Sequence, residues 1–207
     1  SDEGFDVQLP LMSAPLALRS WEAGIPGHVP YLTAEADRAA AWKQRIGRDG
    51  FKVGVSWQGS KLSETSGRSF PLAALLPLSL IEGVRLISLQ KFDGVEQLDS
   101  LPAGMHVEQL GADFDSGADS FIDTAAVMAG LDLVISCDTS VAHLAGALGR
   151  PVWTLLKRYP DWRWLLDRDD TPWYPTMRLF RQTTDGDWTD VIATAERALR
   201  SGVKHEH

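Results

Sequence analysis

The chain has 207 residues, enough for one good-sized core or two small ones, and its 44% hydrophobic and 23% charged residues are those of a globular protein. A net charge of −8 with a pI near 5.1 leaves no basic stripe to track a nucleic-acid backbone. The single cysteine, Cys137, excludes an intrachain disulfide and a zinc cluster, and no stretch is long and apolar enough to span a membrane.

The opening Ser1-Asp-Glu-Gly-Phe-Asp6 has no Met and none of the basic-then-apolar pattern of a signal peptide, so a cytoplasmic piece of a longer chain is expected. Pro10, Pro15, Pro26 and Pro30, with Gly24 and Gly27, break residues 1–34 repeatedly. Their apolar groups, Leu9 to Met12 and Val29 to Leu32, are expected to lie over another surface. A helix is predicted from Ala34 to Ile46. Gly47 to Gly50 then mark a boundary between residues 1–48, a proline-rich tail or linker of a preceding domain, and a domain over residues 49–207.

From there strands and helices alternate. Strands are predicted over Phe51–Trp57, Val84–Gln90, Met105–Leu110, Leu131–Cys137, Val152–Leu156 and Arg178–Arg181. Helices are predicted over Leu72–Leu80, Phe121–Gly130, Val141–Leu148 and Trp188–Leu199, the last with Val191, Ile192, Ala195 and Leu199 on one face. This order predicts an α/β fold with a Rossmann-like, doubly wound parallel sheet. His205-Glu206-His207 reads as a frayed end.

Three loops should then gather at the carboxyl edge of the sheet. The first, Trp57 to Ser69, offers Gly59 for close backbone approach, Ser60 and Ser69 as donors, and Lys61 and Arg68 as charges for an anion. Its glycine spacing is not that of a nucleotide-hydrolysing phosphate loop. In the second, Gln90 or Lys91 can reach a sugar hydroxyl or a base edge.

The third, Asp138-Thr139-Ser140, follows an apolar strand and opens a small-residue helix stopped by Gly149 and Pro151. Free N–H groups and a positive dipole end at that edge suit a phosphate. Asp138 would cap the helix or orient His143, while Thr139 and Ser140 would donate. His143, on the first turn, is either a packed residue or one turned to the same crevice. Asp123 and Thr124, early in the preceding helix, are a weaker site beside a ribose. Five of the eight tryptophans follow residue 150. Trp162 and Trp164 are expected to pack their loop, and Trp153 and Cys137 to be core.

These motifs, in this order, resemble one family. Val53 to Ser60, Arg68-Ser69-Phe-Pro-Leu72, Ser88-Leu-Gln90, Asp123-Thr124-Ala-Ala126, Leu131 to Gly149 and Pro160-Asp-Trp-Arg-Trp164 look like the glycosyltransferase domain that follows tetratricopeptide repeats in bacterial proteins. That group is related to the family nine lipopolysaccharide heptosyltransferases. The resemblance spans residues 51–200 and implies the C-terminal, donor-binding half of a GT-B fold.

It further implies a metal-independent, inverting glycosyltransferase, hexosyl- or heptosyltransferase-like, with no cofactor and a nucleotide diphosphate sugar as donor. Carried over by position, Thr139, Ser140 and His143 would face the diphosphate beside Asp138. Gly59, Ser60 and Lys61 or Arg68 would close over it, and Gln90, Asp123 and Thr124 would lie nearer the nucleoside. Such sites neutralise the leaving group with N–H groups, a helix dipole and cations.

Ser140 stands where the heptosyltransferases usually have Gly. Only one Rossmann-like domain fits, so no catalytic residue is assigned, the acceptor (glycan, lipid or protein) stays open, and the isolated chain is expected to transfer weakly or not at all. The expected partner is a preceding domain or repeats of a longer chain, with no nucleic acid. The alternative is a non-catalytic domain that binds a nucleotide or another protein.

Overall fold

The computed structural model describes residues 4, 7–20, 24, 28–61, 67–117 and 121–203. Pro26, Gly27 and the predicted frayed end His205–His207 lie outside them.

Five strands form one parallel sheet: β1 (Phe51–Ser56), β2 (Val84–Ser88), β3 (Leu133–Cys137), β4 (Val152–Leu156) and β5 (Met177–Arg181). Their spatial order is β2-β1-β3-β4-β5. Between them run α1 (Ala36–Ile46, before β1), α2 (Leu76–Ser79), α3 (Ile122–Met128) and α4 (Ser140–Ala147), with α5 (Thr189–Val203) closing the chain.

Strand pleating sends alternate side chains to opposite faces, and both faces are covered. Val53, Val55, Leu133, Ile135 and Cys137 meet Leu72, Leu75 and Leu78 of the α2 region and Val191, Ile192, Ala195 and Leu199 of α5. Ile87, Val134, Val152 and Leu179 meet Trp42 of α1, Ala126 to Met128 of α3 and Val141, Ala142 and Ala145 of α4. The doubly wound parallel sheet predicted from the sequence is therefore present.

Two expectations need correction. Met105–Leu110 is not a strand: the segment makes one parallel bridge, Ile87 with Glu108. Ser88 N–H donates to Glu108 O and Glu108 N–H to Leu86 O, both at 2.8 Å, and Arg85 clamps the Glu108 carboxylate at 2.7 Å. Pro102 and Gly104 upstream and Gly111 downstream leave it too short for a ladder. Trp162 does not pack its loop; it is 72% exposed, whereas Trp164 is fully buried. Leu9 and Leu11 are 41% and 85% exposed among the described residues.

Val29 does pack against the α1/α3/α4 cluster, and Tyr31 and Leu32 N–H donate to Ala147 O at 3.0 and 3.2 Å. Cys137 is core, as expected, and burial pushes its thiol up to about 12, so it is no nucleophile at neutral pH.

Candidate functional site

The strand order sets where a ligand can sit. From β1 the chain leaves to one side, towards β2; from β3 it leaves to the other, towards β4. The loops at the carboxyl ends of β1 and β3 diverge, and the crevice so opened is where parallel α/β sheets bind ligands. A cleft of about 420 Å³ lies there, lined among others by Gly59, Ser60 and Arg68 after β1, Gln90 and Lys91 after β2, and Thr139 and Ser140 after β3.

The α4 end of the cleft is a helix start without a side-chain cap. Thr139 occupies the N-cap position in extended conformation, but its hydroxyl lies 3.1 Å from the Ser136 hydroxyl and makes no cap bond. The partial positive charge of the first turn is thus left to the cleft. Asp138 is not the cap. Its carboxylate is buried, 4.0 Å from Nε2 of His143.

The opposite wall comes from the β1 loop. Gly59 N–H donates to Ser69 Oγ at 3.1 Å, and the Arg68 guanidinium lies across the glycine. A Cβ on Gly59 would sit 2.9 Å from Arg68 Nε, so only glycine leaves that guanidinium its place. Lys61 does not line the cleft; its ammonium donates to Glu96 at 3.0 Å.

Three predicted residues serve the framework. The Gln90 carboxamide oxygen accepts from Ser56 Oγ and from the N–H groups of Trp57 and Gln58. Its nitrogen donates to the carbonyls of Gln58 and Asp93, both at 2.8 Å. Both amide donors are used, so Gln90 bordering the cleft holds the β1 and β2 loops rather than offering a hydrogen bond to a nucleoside.

Asp123 is buried and does not line the cleft: it accepts from Arg38 (2.8 Å), Trp42 Nε1 (3.0 Å) and Asp115 N–H (3.0 Å), pinning α1 to α3. Burial works against its carboxylate, but these bonds prevail and hold it below the usual carboxylate range. Thr124 reaches the cleft, yet its hydroxyl donates to Asp115.

His143 stands apart from the cleft. Its ring stacks on Trp164 with centroids 5.1 Å apart, and Nδ1 lies 3.1 Å from the Tyr174 hydroxyl. Burial lowers its pKa, with Asp138 opposing, so it is neutral at pH 7. The Tyr174 hydroxyl is in turn 3.3 Å from that of Tyr31.

Sequence reasoning missed Asp115, Phe92 and Phe121. Asp115 accepts the N–H of Asp123 at the start of α3. Phe92 and Phe121 line the cleft, exposed, with φ of 66° and 70°. Bulky residues rarely hold that backbone, and both of these do so on the cleft wall. A left-handed aromatic leaves no periodic signal in a sequence.

Comparison with known proteins gives a partial family match and a shared fold. Residues 80–166 match the model of glycosyltransferase family 9 (heptosyltransferase). The stretch runs from just before β2 to the loop after β4 and carries two of the three cleft loops. The chain is 30% identical over 190 residues to protein FlbA of Caulobacter vibrioides, covering 89% of this chain and 31% of that protein.

Among solved structures, the ADP-heptose LPS heptosyltransferase II of E. coli superposes with a TM-score of 0.58 at 19% identity, over 84% of this chain and 54% of that one. A family 9 glycosyltransferase from Veillonella parvula gives 0.56 at 13% identity, over 83% and 53%. The chain thus shares the fold of these enzymes and spans about half their length, and under a third of its curated relative. No helix among the described residues is long and apolar enough to cross a membrane.

Proposed function

We propose that this chain is the donor-binding domain of a metal-independent, inverting glycosyltransferase, working within a longer protein. The observation that carries the reading is the crevice itself. At the strand-order reversal, the uncapped α4 start faces the Arg68 guanidinium across a cleft of about 420 Å³. Helix N–H groups and one guanidinium stabilise a diphosphate as negative charge builds on it when the sugar leaves.

Thr139 and Ser140 donate to that diphosphate and Gly59 gives room for it. Gln90, Asp123 and Asp115 keep the loops in place. The base takes the flat, apolar surface of Phe92 and Phe121. The family 9 match and the heptosyltransferase fold make a nucleotide diphosphate heptose the first donor to test. The acceptor side and a catalytic base belong to a second domain in this reading.

A second reading, a protein-interaction module, draws on one observation. Tyr159, Trp162 and Leu166 project from the loop after β4, each more than half exposed. The two readings part in a thermal-shift screen of ADP, UDP, GDP and CDP without added metal. A ligand of the folded chain must raise the midpoint by mass action. A shift with one base supports the donor domain; no shift at millimolar ligand favours the interaction module.

A further inference from the structure

The opposite edge of the sheet carries a second charged cavity that the donor reading does not use. It holds about 470 Å³ and is lined by Lys43, Gly47, Arg48, Lys52, Ala129, Gly130, Leu131, Asp132 and Arg150. Four cations and one carboxylate share this wall in a chain whose net charge is −8. They come from four places: the last turn of α1, the turn before β1, β1 itself and the turn before β4.

Local neutralisation falls short of this charge. Asp132 is paired with Lys52 at 2.9 Å. The carboxyl ends of α1 and α3 both point here, through Gly47 and Ala129, and a helix end is worth about half a negative charge. One carboxylate and two helix ends against four cations leave about two positive charges. Among the described residues no carboxylate lies within ion-pair distance of Lys43, Arg48 or Arg150.

Arg150 is fixed in place: one guanidinium nitrogen donates to Leu131 O, while its Nε is buried without an acceptor. A buried, unmatched N–H of a cation is costly, so this guanidinium keeps its charge beside the cavity incompletely compensated.

We propose that this amino-edge cavity is a second binding site, for an oxyanion of the phosphate class, either free phosphate or a small phosphomonoester. The residual charge matches a dianion, Arg150 supplies a fixed guanidinium, and the exposed Lys43 and Arg48 add charge along the same wall. The site is separate from the donor crevice, being at the other end of the strands, and does not depend on it.

The test is a backbone-amide chemical-shift titration of the chain with inorganic phosphate and, separately, glycerol phosphate, at low salt. Saturable shifts at Gly47, Gly130 and Leu131 are expected with at least one of the two, and the tighter one names the source. Affinity there should drop at least ten-fold in Lys43→Gln/Arg48→Gln, whose side chains are exposed and whose loss should leave the fold intact. The same variant should still bind at the donor crevice, seen at Gly59 and Ser140. Shifts confined to the donor crevice, no saturation at the amino edge, or unchanged affinity in the double variant would each overturn the proposal.

Discussion

Gln90 satisfies both main-chain groups of Gln58 with one side chain: its amide oxygen accepts the Gln58 N–H at 3.1 Å and its nitrogen donates to the Gln58 carbonyl at 2.8 Å. The carboxamide acts as a substitute strand partner just where β1 gives way to the cleft loop. The floor of the crevice is therefore held by a buried side chain between two loops, not by sheet pairing.

Gln90→Ala should then cost about 2–3 kcal/mol, since it strands the buried N–H of Trp57 and loosens both loops. Urea unfolding measures this. Gln90→Glu keeps the acceptor but loses both donors, and should fall between alanine and the parent.

Gly59→Ala separates binding from stability. The new methyl meets the far end of Arg68, which can swing aside, so unfolding should change by under about 0.5 kcal/mol. Nucleoside diphosphate affinity should still fall several-fold, because the guanidinium leaves the cleft. Calorimetric titration beside a thermal melt reads both.

Gly146→Ala has no such escape. Its Cβ would lie 2.4 to 2.8 Å from the ring of Tyr174, which is buried and held against His143. Overpacking of this kind costs about 1–3 kcal/mol. The melting temperature should drop accordingly.

His143 gives a pH signature. Burial depresses its folded pKa below the ordinary 6.5, so the unfolded chain takes up the proton first. The contribution of neutral His143 is fully present above about 6.5 and is lost as pH falls towards the folded pKa. His143→Asn should flatten the stability curve over that interval, measured by urea melts between pH 7.5 and 5.

Much of this fold was legible because its signals are periodic. The apolar runs of β1, β3 and β4 and the stripe of α5 carry burial on their face. Glycine and proline punctuation placed the stop after α4 at Gly149, whose φ is 68°. The Met105–Leu110 segment misled because the alternation of Met105 and Val107 with His106 and Glu108 reads alike whether it pairs over a ladder or through a single bridge.

Within the site, backbone contributions were readable and side-chain roles were not. Gly59, Thr139 and Ser140 lie where a strand-turn-helix pattern must put them. Gln90 and Asp123 are polar residues whose partners lie 32 and 81 positions away, at Gln58 and Trp42, beyond any local pattern. Lys61 was drawn to Glu96 by an ion pair that spacing does not announce.

The aromatic pair offers a binding effect without a folding effect. Phe92→Ala and Phe121→Ala should each lower nucleotide affinity about three- to ten-fold, the range of one lost stacking face. Both side chains are exposed, so the melt should move by little. Affinity for inorganic pyrophosphate, which has no base, should not change.

The most direct test is calorimetric titration of the chain and of Arg68→Ala with the nucleoside diphosphate that shifts its melt, without metal. Saturable one-to-one binding that weakens ten-fold or more in the variant is the predicted result. Binding of equal strength to both proteins, or none to the parent chain at millimolar ligand, would contradict the assignment of this crevice to a donor diphosphate.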